Sequence, residues 1–279
     1  MIKPMLAHKY NPEKAEFPGY IQPKLDGVRC TISTKGAFSR THKEFKNVDH
    51  IKKALKPFFK DHPNAVLDGE LYNHDLRDDF EKIISLVRKT KPTDAHRQEA
   101  KELIKFYCYD ILSYNGNPIE WCYFYREQFL FNSYNCNDFL RLVFPKEVNS
   151  HKEAKKEHKS NLSLGYEGSI YRNPGGLYKG TRSWDLMKFK DFSDAEATII
   201  GFEPGKGKRE GTLGKFIMED EDGNQFGCPP GKGYNYDDMT NLLETVQDYI
   251  GQVATFTYFE RTKAGSYRHP LFKCIRNYE

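Results

Sequence analysis

The sequence predicts an α+β domain over residues 1–192 followed by a β-barrel, a small Greek-key barrel of the OB type, over residues 193–279. Three observations carry this reading. Strand and helix periodicities alternate as far as Lys190. Beyond it, short strand-like runs separated by Gly-rich turns surround one helical stretch. Charge changes at the same place: residues 193–279 carry 10 basic and 14 acidic side chains, against 33 and 25 in residues 1–192, so the two parts are −4 and +8. A basic larger part suits a phosphate-rich partner.

In order along the chain, Tyr20–Ile32 and Ala65–Tyr72 alternate like strands. Between them Val48–Lys60 predicts an amphipathic helix, with Ile51, Leu55, Phe58 and Phe59 opposite a Lys-rich face. Helices are predicted over Asp78–Arg88 and Asp94–Ile104, an aromatic strand over Lys105–Ile111, a helix over Phe124–Tyr134 and a highly charged helix over Ser150–Leu164. Gly168–Arg172 and Trp184–Phe189 read as strands on either side of the turn signals Asn173-Pro174-Gly175-Gly176. A domain boundary falls near Asp191–Asp194. After it come the barrel strands Ala197–Phe202, Leu213–Glu219, Gln225–Cys228 and Val253–Phe259, with a helix near Tyr236–Tyr249. Gly223–Tyr249 fits either a barrel helix or an extra contacting loop.

With 38% hydrophobic and 14% aromatic residues, the chain has the material for a sizeable core and is not a disordered segment. It has no apolar run long enough for a membrane span and no apolar signal core at its start, so we expect a cytoplasmic, monomeric protein with no membrane partner. The 6 cysteines form no CxxC pair and the 9 histidines no HExxH, which argues against zinc chemistry and a disulfide framework. Gly205-Lys206-Gly207-Lys208-Arg209 lacks the spacing of a phosphate-binding P-loop.

The strongest chemical signal is Lys24-Leu25-Asp26-Gly27-Val28-Arg29, at the end of a predicted strand after Gln22-Pro23. An ordinary lysine is protonated up to about pH 10.4, so a nucleophilic one must be desolvated or set beside other cations. Asp68-Gly69-Glu70, Tyr107-Cys108-Tyr109-Asp110, Glu167-Gly168 with Arg172, and Trp184–Lys190 follow in order. In this order they resemble motifs I, III, IIIa, IV and V of the covalent nucleotidyltransferases, the superfamily of polynucleotide ligases and mRNA capping enzymes. The resemblance spans Lys3 to Arg276, and Tyr267–Phe272 is similar to the ending of small phage ATP-dependent DNA ligases.

The resemblance implies an adenylation domain followed by an OB domain, with ATP, Mg²⁺ (or Mn²⁺) and nicked double-stranded DNA as reactants and partners. It implies Lys24 as the residue that takes AMP. Gln22 and the Leu25 backbone would face adenine, Arg29 and Glu70 would lie near the ribose, and Tyr109 would stack on the base, with Tyr107, two residues away on the same strand, as its rival. Glu167 would be the first metal ligand, with Glu70 and Asp26 as further candidates. Lys188 and Lys190 would contact the α-phosphate, aided by Arg172, which stands where many relatives have lysine. Arg40 would meet the 5′-phosphate of a nick, and Arg268 would reach the pyrophosphate on domain closure. The alternatives are an RNA ligase, a GTP-dependent capping guanylyltransferase, or a catalytically inactive nucleic-acid clamp.

Overall fold

The structure, a computed structural model, describes residues 3–77, 79–190, 193–231, 233–259, 261–262 and 265–276. The chain divides into two compact units, residues 1–190 and 191–279. The expected helix start at Asp78 and the first two residues of the expected boundary, Asp191 and Phe192, lie outside the described residues.

In the first unit the elements are β1 (Leu6–Lys9), β2 (Gly19–Lys24), β3 (Val28–Ser33), β4 (Gly36–Phe38), α1 (Asp49–Ala54), α2 (Lys56–Asp61), β5 (Val66–Tyr72), α3 (Phe80–Val87), α4 (Asp94–Leu103), β6 (Lys105–Tyr114), β7 (Asn117–Pro118), α5 (Tyr123–Ser133), β8 (Leu140–Leu142), β9 (Lys146–Val148), α6 (His151–Ser163), β10 (Gly168–Arg172) and β11 (Arg182–Phe189). The long strand expected over Tyr20–Ile32 is two strands, because Leu25-Asp26-Gly27 turns the chain out of one sheet and into another. The helix expected over Val48–Lys60 breaks at Leu55. Pro57 stands in the first turn of α2 and cannot donate the backbone hydrogen bond that a continuous helix needs there. Side-chain caps set the other starts: Asp79 opens α3, Thr93 opens α4 and Ser150 opens α6.

One sheet has the order β1-β11-β10-β2-β9, and the other β4-β3-β5-β6-β7 with β8 also on β6. Helices α1 to α5 bury Ile51, Phe58, Ile83, Leu86, Ala100 and Leu130 with the β3-β5-β6 sheet in the main core. A smaller core joins Ala154 of α6 to Ile21, Tyr171, Met187 and Phe189 of the β1 sheet. Alternation along each strand turns the complementary residues away from these cores.

The second unit contains β12 (Ser193–Pro204), β13 (Leu213–Glu219), β14 (Gln225–Cys228), α7 (Tyr236–Glu244), β15 (Val253–Tyr258) and β16 (Leu271–Ile275). The sheet order is β14-β13-β12-β15-β16. Its edges meet through a parallel bridge between Pro230 and Phe272, with Phe272 N–H donating to Pro229 O and Gly231 N–H to Phe272 O, each at 2.9 Å. β12 is irregular between Ile199 and Gly201, which lets one strand pair with β15 through its first half and β13 through its second. Gly223–Tyr249 holds β14, α7 and a short 3₁₀ turn, with Leu242 and Val246 buried in the barrel core.

Candidate active site

Lys24 is the last residue of β2, where the chain leaves the β1 sheet for the β3 sheet. Register places Gly168 opposite Lys24 and Ile170 opposite Gln22, and Ile170 is in turn opposite Lys188. Glu167 N–H donates to Lys24 O at 3.2 Å, which draws the Glu167 side chain over the lysine. The Glu167 carboxylate is shared: one oxygen pairs with Lys24 Nζ and the other with Lys190 Nζ. Burial works to raise the pKa of Glu167, but the two ammonium groups outweigh it and hold the carboxyl below its usual range. Lys188, on the strand face of Lys190, has no ion pair among the described residues. Burial, then Lys190, Lys24 and Arg182, press its ammonium below the usual lysine range. The row Lys24, Lys188, Lys190 is thus a cationic strip with one carboxylate, arranged to receive a polyanion.

Two glycines allow this close approach. A Cβ on Gly27 would stand 2.5 Å from Leu71 O and 2.8 Å from Glu70 Cγ. Gly168 has φ +148, and a Cβ there would lie 2.3 Å from Phe189 O.

The facing sheet brings Arg29, Glu70 and Tyr107 into one cross-strand row. Arg29 clasps Asp68 with two hydrogen bonds, Nε to Oδ1 at 3.0 Å and Nη2 to Oδ2 at 2.6 Å, and donates to Met5 O at 2.6 Å. Tyr178 OH donates to the same Asp68 at 2.7 Å. Asp68 pairs with Asp110 and Gly69 with Cys108, so Tyr109 is the extra residue of a β-bulge. Tyr107 lies opposite Glu70 and Tyr109 donates to the same carboxylate, so both rings border one side of the strand pair. The bulge lets the consecutive residues Tyr109 and Asp110 both engage cleft groups. Tyr109 OH donates to Glu70 Oε2 at 3.2 Å, and its ring lies 5.9 Å from the Arg29 guanidinium and 5.7 Å from that of Arg172. Tyr107 packs edge-on against Tyr72 instead. Glu70 is only half-buried, yet lost hydration around its carboxyl pushes its pKa up to about 8 against the opposing pull of Lys24, Arg29 and Tyr109.

Arg172 does not stand free for a phosphate. It is buried, donates to Asp110 Oδ2 at 2.6 Å and to Gln22 Oε1 at 3.2 Å, and lies over the Tyr123 ring. Arg126 holds Asp110 from the other side at 2.7 Å and 3.3 Å. Asp68, Asp110, Tyr123, Arg126 and Tyr178 were missed in the sequence. Asp68 and Asp110 lie inside the motifs, but nothing local marks an arginine such as Arg126 as 1% exposed. Leu25 is buried in the main core and Asp26 occupies the turn beside it. Arg40 is exposed in the loop after β4, where Ser39 and Lys43 close a turn. Arg268 belongs to the second unit, where its carbonyl accepts from Phe259 N–H.

Among the described residues no group of three or more His, Cys, Asp or Glu side chains gathers as a metal cage. Mg²⁺ commonly binds through one or two carboxylates together with substrate phosphates. A single carboxylate, Glu167, at the end of a cationic strip fits a metal that arrives on a nucleotide.

A lysine at a strand end, paired with a carboxylate and flanked by further cations between two sheets, marks the adenylation domain of a nucleotidyl-transfer enzyme joined to an OB-like unit. Residues 4–190 match the ATP dependent DNA ligase domain and residues 204–276 the DNA ligase OB-like domain. The chain belongs to the ATP-dependent DNA ligases. It is 27% identical over 269 residues to a DNA ligase of Haemophilus influenzae, covering 96% of this chain and 90% of that protein. With the DNA ligase of Enterobacteria phage T4 it shares 26% over 303 residues, 89% of this chain and 62% of the phage protein. A solved Lig E DNA ligase superposes with a TM-score of 0.80 at 25% identity, covering 99% of this chain and all of that one. The ATP-dependent DNA ligase of bacteriophage T7 in complex with ATP shares the fold, with a TM-score of 0.58 at 20% identity and 98% of each chain covered.

Proposed function

We propose that this ligase seals nicks in duplex DNA through a covalent AMP on Lys24, acting as a cytoplasmic monomer in replication, repair or recombination. The observation that carries the site assignment is the Glu167 carboxylate shared by Lys24 and Lys190 beside Lys188, which has no ion pair among the described residues. Mg²⁺ (or Mn²⁺) bound with ATP would be held by Glu167 and would neutralise the departing pyrophosphate. Glu167 can turn away from Lys24, which bares the amine for reaction. Once Lys24 has given up its proton to solvent, the neutral amine attacks the α-phosphorus. A P–N bond forms, the bond to the bridging oxygen breaks, and pyrophosphate leaves with that electron pair. Lys188 and Lys190 stabilise charge on the α-phosphate oxygens.

In the second step a 5′-phosphate oxygen of the nick displaces Lys24 from AMP, with Arg40 holding that phosphate. In the third the 3′-OH attacks the activated phosphate, loses its proton and releases AMP. Tyr109 supports the base, Arg29 and Glu70 border the ribose, Asp26 lies near the 3′-OH, and Arg268 serves the pyrophosphate when the second unit closes. Binding to nicked DNA should weaken with salt and show little sequence preference.

The test is incubation with Mg²⁺ and radiolabelled ATP or GTP, denaturing electrophoresis, then addition of nicked duplex. Label from ATP that is discharged as the nick closes, and is absent in Lys24→Ala, supports the reading. Label in Lys24→Ala overturns the assignment of the nucleophile. Label from GTP alone would point to a capping-type enzyme.

A further inference from the structure

The Tyr178 hydroxyl gathers parts of the first unit that are remote in sequence. It donates to Asp68 Oδ2 at 2.7 Å, accepts from the Met5 N–H at 3.0 Å and faces Arg29 Nη2 at 3.4 Å. Its proton and both lone pairs are thereby engaged. Tyr178 lies in the connection between β10 and β11, Asp68 on β5, Arg29 on β3 and Met5 just before β1. Asp68 and Met5 are each 1% exposed, so water has little access to replace the hydroxyl.

The connection that carries Tyr178 is itself held. Arg126 Nη1 donates to Gly176 O at 3.0 Å, and its guanidinium lies 5.6 Å from the centre of the Tyr178 ring. Arg126 is buried and anchored on Asp110. The hydroxyl therefore stands on a ring that is fixed from behind.

What the hydroxyl steadies is a guanidinium. Asp68 Oδ2 accepts from Tyr178 and from Arg29 Nη2 alike, and Asp68 Oδ1 accepts from Arg29 Nε. Arg29 Nη1 carries two N–H groups and meets one acceptor, Met5 O at 2.6 Å, so one donor remains over among the described residues. The Arg29 side chain is 22% exposed, within reach of a ligand. Arg29 stands opposite Glu70, and Lys24 and Arg29 both act on the Glu70 carboxyl, so the guanidinium lies on the lysine's side of the strand pair.

We propose that Tyr178 is a positioning residue for Arg29: by holding Asp68 and the Met5 segment, its hydroxyl aims the remaining Nη1 donor at a ribose hydroxyl of the nucleotide. The proposal rests on the reading that places Arg29 beside the ribose. Tyr178 itself touches no reactant. Without its hydroxyl, Asp68 Oδ2 and the Met5 N–H each lose a buried partner, and the carboxylate is free to swing together with the guanidinium it carries. A guanidinium that samples several directions loses part of its hydrogen-bond energy to ordering when the nucleotide arrives.

The experiment uses the full chain with Mg²⁺ and measures initial rates of Lys24 labelling at subsaturating ATP, 2′-deoxy-ATP and 3′-deoxy-ATP. The wild type is compared with Tyr178→Phe, which keeps the ring beside Arg126 and loses only the hydroxyl. In the wild type one of the deoxy analogues is expected to label at least about tenfold more slowly than ATP. In Tyr178→Phe that ratio should shrink to within about threefold, through a slower reaction with ATP. A merely structural role would lower the active fraction for all three nucleotides alike and leave the ratio at its wild-type value; that outcome overturns the proposal. The ratio does not depend on how much of the variant is folded. Asp68→Asn, which puts an amide in place of the carboxylate that joins Tyr178 to Arg29, is the second variant; it should shrink the same ratio, and an unchanged ratio there counts equally against the proposal. A wild type that labels equally fast with all three nucleotides is a different failure: it removes Arg29 from the ribose, and the proposal falls with that reading.

Discussion

Lys24 and Glu167 are joined twice: the backbone N–H of Glu167 donates to the Lys24 carbonyl at 3.2 Å, and the Glu167 carboxylate pairs with the Lys24 ammonium. The backbone link fixes where the carboxylate stands, and the ion pair holds the lysine side chain against it. Lys190 takes the other carboxylate oxygen, so one acidic residue organises two cations.

Replacing Glu167 with Gln should lower the rate of lysine labelling by about a hundredfold, because the variant keeps the shape but loses the charge. The carboxyl sits below its usual range in the fold, so its stabilising contribution is present above that range and is lost as the pH falls through the folded value. Thermal melts should show the variant less stable than the wild type near neutrality, with the gap closing in acid. A gap that widens in acid would contradict the ion-pair role.

Glu70 behaves in the opposite sense. Its pKa in the nucleotide-free fold is about 8 against 4.5 ordinarily, so between those values the folded chain keeps a proton that the unfolded chain has released. The associated stability is complete below the lower value and is lost as the pH rises through the upper one. Glu70→Gln should therefore lose less thermal stability than the wild type as the pH rises from 4.5 to about 8, the span over which the folded and unfolded chains differ in protonation. Parallel melting curves would show that Glu70 is already ionised in the fold.

Asp110 lies between two buried guanidinium groups. Asp110→Ala leaves both uncompensated and should destabilise the first unit by about 3–5 kcal/mol. Both tryptophans, Trp121 and Trp184, belong to this unit, so denaturant unfolding followed by tryptophan fluorescence reports on it alone. A loss under about 1 kcal/mol would mean that Arg126 and Arg172 find other partners.

Arg40 offers a separation of steps. It is exposed, away from the Lys24 and Glu167 pair in the hydrogen-bond network, and assigned to the nick phosphate. Arg40→Ala should label Lys24 with AMP at close to the wild-type rate, yet pass AMP to nicked DNA at least about tenfold more slowly. If labelling and transfer fall together, Arg40 acts before the nick is engaged.

The sequence by itself determined the candidate nucleophile, the order of the motifs and the two-part architecture, because each rests on residues a few positions apart. Lys24, Gln22 and the strand that carries them are local, as are Lys188 and Lys190 on β11 and the turn at Gly27. Tertiary structure decided which of these groups meet. Glu167 reaches Lys24 only because β10 pairs with β2 across 143 residues of chain. The bulge at Tyr109 depends on how β6 aligns with β5, a register that alternation within one strand cannot state. The burial of Arg126 and the diversion of Arg172 from phosphate to Asp110 likewise arise from long-range packing. A buried charge is tolerated only beside its partner, and the partner is chosen by the fold.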